Sequence, residues 1–321
     1  MGTRSIMAHI VDQVAEFEEF LKVFNEKDNE YLNHTIIEEF SLPRNIIREF
    51  IMSKHAEGCS IETCRTYFAG VKIFLEAHQN IALQDIKAGD IKSWMLEYQV
   101  SHHLSNVSLD NLRRYLNSFY NFLVAEDYVI KNPMASIHRI KTDKKLHSPF
   151  TEDDLERIRD ACESSRELAL IDFLYSTGAR VSEASNSDIS DFNFQAMEGY
   201  VYGKGGKERI VYLDTRAKIH LLRYLHFRKD TNPALFVEMI TPHERMTKQQ
   251  IEYTVKQIGK RAGIENCHPH RFRRTLATRL LERGMPIEQV QAILGHEKLD
   301  TTLIYAKVNQ SSVKINHNKY A

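Results

Sequence analysis

The chain has 321 residues, of which 42% are hydrophobic and 27% charged, and its 43 lysines and arginines balance 43 acidic residues. This composition is that of a folded globular protein, it excludes a disordered or collagen-like chain, and the length suggests about two domains. Four scattered cysteines are typical of a reduced cytoplasmic protein, and no run approaches the ~18 apolar residues of a membrane span.

The zero net charge by itself argues against a nucleic-acid-binding protein. The charges, however, are distributed unevenly. Residues 1–60 carry a net charge of −5, whereas residues 241–321 carry +7. A basic segment attracts polyanions wherever it lies. The total charge therefore does not decide whether nucleic acid is a partner.

The N-terminal half shows helical periodicity. Residues 1–35 are predicted to form a helical N-terminal extension, and residues 36–135 a helical domain. A strong apolar stripe predicts a helix across residues 109–123. The opposite face of this helix carries Arg113 and Arg114, although most polar helix faces are simply solvated.

A basic stretch without periodicity, residues 136–148, is predicted to be a linker to a second domain at 149–321. Thr151 and Asp154 have the spacing of a capping box, which predicts a helix start. The alternation on both sides of Gly203–Lys207 predicts a β-hairpin. The predicted fold is therefore mostly α: a helical domain, then a mixed α+β domain with a small antiparallel sheet.

Six residues suited to chemistry follow one another along the second domain: Arg180, Lys204, His270, Arg273, His296 and Tyr305. His270 and Arg273 are three residues apart and share a helix face. Each residue alone has an ordinary explanation, such as a surface arginine or a turn lysine. The string Cys267–His270 has metal-like residues, but a structural zinc site takes four ligands and no partner pair is near in sequence. No metal site is predicted.

In this order, the six residues resemble the tyrosine recombinase (phage integrase) family, in its simple two-domain, Xer-like form. The matching strings are Thr177-Gly178-Ala179-Arg180-Val181-Ser182-Glu183, Gly203-Lys204-Gly205-Gly206-Lys207-Glu208-Arg209, His268-Pro269-His270-Arg271-Phe272-Arg273, Leu294-Gly295-His296-Glu297 and Thr301-Thr302-Leu303-Ile304-Tyr305. The helical half resembles the core-binding (SAM-like) domain of the family. The sequence departs from the family at Arg274, where a histidine is common, and this adds a cation.

The resemblance implies a site-specific DNA recombinase that cuts and rejoins strands through a covalent 3′-phosphotyrosyl intermediate, without metal or nucleotide cofactor. It implies that Tyr305 is the nucleophile and that Arg180 and Arg273 hold the scissile phosphate. It implies the remaining roles as follows: His270 in acid–base catalysis, Lys204 (or, as runner-up, Lys207) as the proton donor to the leaving 5′-oxygen, His296 as a phosphate ligand, and Glu183 in support.

The implied partners are double-stranded DNA with short inverted-repeat core sites and further copies of the chain, in a tetramer joined by the C-terminal tail. Six basic residues are predicted to contact DNA: Arg113, Arg114, Lys141, Lys144, Lys145 and Arg274. Two alternatives stay open, a type IB topoisomerase-like nicking-closing enzyme and a catalytically silent DNA-binding protein of the same fold. The biological role stays open among integration, excision, inversion and resolution.

Overall fold

The computed structural model describes residues 46–142, 148–203, 208–295 and 303. The chain divides into two compact units, Met1–Lys145 and Leu146–Ala321. The predicted N-terminal extension lies outside the described residues. Each unit has its own hydrophobic core, as expected for a chain of this length.

The described part of the first unit is helical. Its helices are α1 (Ile46–Ala56), α2 (Ile61–Ala77), α3 (Ala88–Ser101) and α4 (Asn106–Ala125), followed by a 3₁₀ turn at Pro133–Ser136. Ser60 and Ser105 cap α2 and α4, because each hydroxyl accepts the backbone amide three residues further on. Phe50 of α1 packs edge-on against Phe119 of α4, with ring centroids 5.3 Å apart, which joins the two helices through the core.

The residues after the 3₁₀ turn remain attached to this helical unit. Ile137 is buried in its core. The backbone amide of Ile140 donates to Asp110 on α4 at 3.0 Å, and the Lys141 carbonyl accepts the Asn106 side chain at 3.1 Å. The first residues of the predicted linker therefore pack with the first unit, and residues 143–147 lie outside the described residues.

The second unit combines helices with one small sheet. Its elements are α5 (Glu152–Asp160), α6 (Ser165–Thr177), α7 (Val181–Asn186), β1 (Phe192–Asn193), β2 (Glu198–Tyr202), β3 (Glu208–Tyr212), α8 (Thr215–Phe227), α9 (Lys248–Arg261), α10 (Pro269–Glu282) and α11 (Ile287–Leu294), with a 3₁₀ turn at Ile189–Asp191. The predicted capping box is present, since Thr151 and Asp154 each accept the other's amide at 3.0 Å.

The sheet is antiparallel in the order β1-β2-β3. The predicted hairpin corresponds to β2 and β3, and Val201 pairs with Arg209. Helix α6 lies at the centre of the unit, with Phe173 fully buried against Phe192 and Phe236. Burying a phenylalanine of this kind stabilises a fold by about 1.5–3 kcal/mol. The predicted fold class, mostly α with a small antiparallel sheet, is confirmed. None of the described helices is long and apolar enough to cross a membrane.

Candidate active site

The first site residue is positioned by a sharp turn between two helices. Helix α6 ends at Gly178, whose φ of 58° is left-handed, a conformation that glycine adopts without steric cost. Two residues later Arg180 is the N-cap of α7. The short turn therefore fixes the backbone of Arg180 at the start of a helix.

The side chain of Arg180 is held by Glu183, one helical turn along α7. Its Nη1 lies 2.6 Å from Glu183 Oε1, and its backbone amide donates to Oε2 at 2.8 Å. Glu183 is 1% exposed, while the Arg180 side chain stays 42% exposed. Burial raises the pKa of Glu183, but the nearby arginines outweigh it and the pKa lies below its ordinary value. A buried carboxylate thus orients an arginine that reaches solvent.

A second arginine is enclosed behind the turn. Helix α10 begins with Pro269, a residue suited to the first helical turn, and one turn later carries Arg273, which is 1% exposed. Arg273 Nη1 donates to the Gly178 carbonyl at 2.7 Å, and Nη2 donates to the Leu294 carbonyl. The helix-ending turn at Gly178 and the end of α11 are therefore joined through one guanidinium.

The end of α11 collects three arginines. Three successive carbonyls, those of Ile293, Leu294 and Gly295, accept hydrogen bonds from Arg209, Arg273 and Arg180 respectively. The last carbonyls of a helix have no partner within it and carry partial negative charge. Guanidiniums are therefore well matched to this end of α11.

Arg209 ends one of the matching strings but is not among the six predicted catalytic residues. It points inward from β3, is 10% exposed, and lies 2.8 Å from Glu183 Oε2. Burial lowers its pKa, whereas Glu183 raises it. Its position in the strand could have marked it. Arg209 lies two residues before the buried Val211, so both side chains point to the same face of the strand, towards the core. A charged side chain that faces the core requires partners.

Arg180 and His270 line the same cleft, which has a volume of about 610 Å³. Its full lining comprises Arg180, Val181, Ser182, Glu252, Lys256, Cys267, His268, Pro269 and His270. Partial desolvation and the positive charges of neighbouring groups, Arg273 and Arg274 first among them, lower the pKa of His270 to about 4. At neutral pH the imidazole is therefore uncharged and able to accept a proton. Glu252 and Lys256 had no motif to mark them.

The remaining predicted catalytic residues, Lys204, His296 and Tyr305, lie outside the described residues. The structure describes residues on both sides of Lys204 and the residue directly before His296. Strand β2 ends at Tyr202, before Lys204, and strand β3 begins at Glu208, after it. Gly295 directly precedes His296. Of the six predicted residues, the structure describes Arg180, His270 and Arg273.

The predicted DNA-binding residues differ in exposure. Arg114 is 62% exposed, whereas Arg113 is largely buried, with its Nε 2.8 Å from Asp110. The hydrogen bond from Arg113 contributes most to holding the pKa of Asp110 below its ordinary value. Lys141 is exposed and Arg274 is half-buried, while Lys144 and Lys145 lie outside the described residues. Arg113 therefore has a structural partner in α4.

Metal binding has no support in the described part of the chain. Across residues 46–142, 148–203 and 208–295, no three histidine, cysteine or acidic side chains are grouped so that they could hold a metal ion. Cys267 is buried, and burial raises the pKa of its thiol to about 12. Without a metal, this thiol therefore stays protonated at neutral pH.

Comparisons with known proteins identify the family of the chain. The model of the phage integrase family matches residues 148–312, and that of the phage integrase N-terminal SAM-like domain matches residues 46–130. The tyrosine recombinase XerA of Pyrococcus horikoshii is 32% identical over 274 residues, covering 84% of this chain and 91% of the relative. The tyrosine recombinase XerC of Staphylococcus aureus is 33% identical over 251 residues, covering 75% and 83%.

Solved structures share the fold. The integrase of the Tn1549 transposon, in complex with transposon right end DNA, has a TM-score of 0.70 at 19% identity, covering 85% of this chain and 98% of that one. The XerH site-specific recombinase on its palindromic difH substrate has a TM-score of 0.68 at 21% identity, covering 89% and 90%. The chain belongs to the phage integrase family. Within it, the prediction of a Xer-like tyrosine recombinase is confirmed.

Proposed function

We propose that the chain is a site-specific recombinase that cleaves and rejoins double-stranded DNA at short inverted-repeat core sites. The observation that carries the proposal is the arrangement of Arg180 and Arg273, which meet at the end of α11 directly before His296. Arg180 reaches the cleft that His270 also lines. Relatives above 30% identity are tyrosine recombinases, which supports the same activity here.

The arginines supply the electrostatic part of the reaction. Attack on a phosphodiester adds negative charge to the non-bridging oxygens, and planar guanidiniums hold such oxygens with fixed pairs of donors. Arg180 is fixed by Glu183 and by the Gly295 carbonyl before any substrate arrives. Donors fixed in advance lose little energy in reorganisation during the reaction. We assign Arg180 and His296 to the scissile phosphate. Arg273, which is 1% exposed and donates to two carbonyls, is assigned to the same phosphate on the family resemblance.

The covalent step moves two protons and exchanges two bonds. The phenolic oxygen of Tyr305 bonds to phosphorus, and the bond from phosphorus to the 5′-oxygen breaks. His270, which is uncharged at neutral pH and so has a ring nitrogen able to accept, takes the phenolic proton, and the negative charge of a bound phosphate favours the protonated form. Lys204 donates a proton to the 5′-oxygen, with Lys207 as the second choice. The phosphotyrosyl bond retains the energy of the broken ester, so a second 5′-hydroxyl reverses the step without a cofactor.

DNA binding and catalysis are assigned to different domains. We assign residues 36–135 to core binding, residues 136–148 to the linker and residues 149–321 to catalysis, with residues 1–35 as an N-terminal extension. Arg114, Lys141 and Arg274 have side chains that reach solvent at least in part, in keeping with contacts to DNA. Arg113 is expected to contribute less to DNA binding than Arg114, because its guanidinium already donates to Asp110. Lys144 and Lys145 complete the basic set.

The active assembly that we propose is a tetramer on DNA in the cytoplasm, with the C-terminal tail docked on a neighbouring copy. Removing the residues after Lys307 is then expected to impair assembly on DNA more than cleavage of a first site. Analytical ultracentrifugation with a core-site duplex measures assembly, and adduct formation measures cleavage. Equal loss of both would contradict the role of the tail.

Trapping of the covalent intermediate tests the activity. A nicked suicide duplex, with a core site selected from randomised DNA by binding to this protein, is expected to form an adduct that survives denaturation. Tyr305→Phe is expected to bind the duplex and form no adduct. Tyr212→Phe, which changes an exposed tyrosine of β3, is the matched control and keeps adduct formation. An adduct with Tyr305→Phe would contradict the assignment.

The topoisomerase-like alternative is not favoured, because the curated relatives are tyrosine recombinases. A two-site plasmid separates the two activities. A recombinase exchanges partners between the sites, whereas a nicking-closing enzyme relaxes supercoils and leaves the order of the segments unchanged. Relaxation without exchange would support the alternative.

A further inference from the structure

Arg209 is a buried cation at the base of the hairpin that carries Lys204. It pairs with Val201 across the sheet and is 10% exposed. A charge at that depth costs several kcal/mol unless it is paired and hydrogen-bonded. Its partners therefore indicate what the side chain does in the fold.

The guanidinium contacts three separate segments. Nη2 lies 2.8 Å from Glu183 Oε2 and 3.4 Å from the Gly178 carbonyl, and Nη1 donates to the Ile293 carbonyl. Gly295 leaves room for the stem, because a Cβ at that position would lie 2.6 Å from Arg209 Cδ. The side chain thus passes directly beneath the turn that ends α11.

Each segment that Arg209 contacts also holds or adjoins a residue of the proposed reaction. Glu183 fixes Arg180. The Gly178 carbonyl also accepts from Arg273, and the end of α11 leads to His296. Arg209 itself lies two residues after Lys207, at the base of the hairpin.

We propose that Arg209 is a positioning residue for DNA strand cleavage, which sets the orientation of Arg180 through Glu183 and fixes the end of α11 relative to the hairpin. It does not touch substrate. The inference rests on the proposed recombinase function and adds a determinant of its rate.

A guanidinium suits this role because its planar fork serves several acceptors at once. Lysine has one compact ammonium and cannot reach Glu183 and two carbonyls together, so it replaces only part of the contact. Without Arg209, Glu183 retains Arg180 but loses the second cation that holds it. A displacement of about 1 Å in a catalytic group can reduce a rate about 100-fold.

Single-turnover cleavage of the suicide duplex, at saturating protein, tests the inference. Arg209→Met is expected to reduce the rate about 100-fold while the affinity for the duplex is unchanged, because Arg209 lies beneath the site. Arg209→Lys is expected to cleave at an intermediate rate. Wild-type rates for both variants would overturn the inference, and so would a loss of affinity that accounts for the whole effect.

Arg228 provides a matched control for a purely structural role. It is another buried arginine of the second unit, bound to one carboxylate, that of Asp230, and to backbone carbonyls near residue 234. Arg228→Met is expected to lower the free energy of unfolding yet leave the cleavage rate of the folded protein unchanged. Equal loss of cleavage in Arg228→Met and Arg209→Met would overturn the positioning role.

A double-mutant cycle with Glu183→Gln tests the path through Glu183. If Arg209 acts through this carboxylate, the combined variant is expected to cleave no more slowly than the slower single variant, since residues that share one path are not additive. Multiplication of the two rate losses would mean independent action and would overturn this path.

Hydrogen exchange without DNA keeps the inference separate from the proposed function. The amide of Arg180 donates to Glu183 Oε2 and that of Gly295 donates to the Ala292 carbonyl. Arg209→Met is expected to speed exchange at both amides while the amide of buried Phe173 keeps its protection. Unchanged exchange at Arg180 and Gly295 overturns the inference, whereas a wild-type protein that forms no adduct overturns the recombinase proposal alone.

Discussion

Replacing Glu183 with glutamine is expected to destabilise the second unit substantially. Glu183 is 1% exposed and lies between Arg180 and Arg209, with oxygen–nitrogen distances of 2.6 and 2.8 Å. Removing one partner of a buried ion pair costs about 3–5 kcal/mol. Arg180 is 42% exposed and recovers part of its solvation, so the lower end, about 3 kcal/mol, is expected.

Urea unfolding followed by circular dichroism measures this cost. The difference between wild type and Glu183→Gln also depends on pH. The folded pKa of Glu183 lies below the ordinary value of 4.5, so its contribution is present above pH 4.5 and is lost as the pH falls through the folded pKa. We therefore expect the two proteins to converge in stability at low pH.

Glu156→Gln is the matched control. Glu156 also contacts two arginines, Arg159 at 2.8 Å and Arg216 at 2.6 Å, but its side chain is 52% exposed. Exposed pairs contribute about 0–1 kcal/mol, so the control is expected to lose little. A cost below about 1 kcal/mol for Glu183→Gln, or equal costs for both variants, would refute the reasoning from burial.

Three further outcomes are expected. Gly295→Ala should destabilise the fold by about 2–4 kcal/mol in urea unfolding, because φ is 62° and a Cβ would meet an arginine stem; a neutral result would contradict the close approach. NMR titration should show His270 ionising near pH 4, because partial burial and then the neighbouring arginines disfavour its charged form, and a midpoint at the ordinary 6.5 would contradict both effects. Neutralising Lys141, Lys144 and Lys145 should flatten the dependence of DNA affinity on salt, and an unchanged slope would argue against phosphate contacts.

Local signals in the sequence were sufficient for much of the fold. The capping box at Thr151 and the alternation around the hairpin are short-range patterns, and both predicted elements are present. Strand β1 has only the two residues Phe192–Asn193, which is too short for an alternation to be seen. Attachment of Ile140 to Asp110 joins residues 30 positions apart, and periodicity carries no information on such a contact.

The sequence predicts the site as a set of residues, but not the contacts that join them. Order and local context marked Arg180, His270 and Arg273, because family motifs are written in linear sequence. The contacts of Arg209 join residues 26 and 84 positions away in the chain, and only the folded backbone brings these together. Similarly, the resemblance predicted Arg113 and Arg114 alike as DNA contacts, whereas the folded helix distinguishes them, because Asp110 one turn away binds Arg113 and leaves its side chain 15% exposed.

The carbonyls at the end of α11 have a consequence for how a chain of zero net charge can attract an anion. A carbonyl satisfies the N–H donors of a guanidinium but carries no net charge, so it orients an arginine without neutralising it. Long-range attraction is weak here for two reasons. The total charge is zero, and the fields of individual exposed charges are screened beyond about 8 Å at physiological salt. Inside a cleft with low-dielectric walls the local charge prevails and field lines are focused. A polyanion therefore meets little attraction until it is nearly in contact, and selection between sites depends on fit at short range.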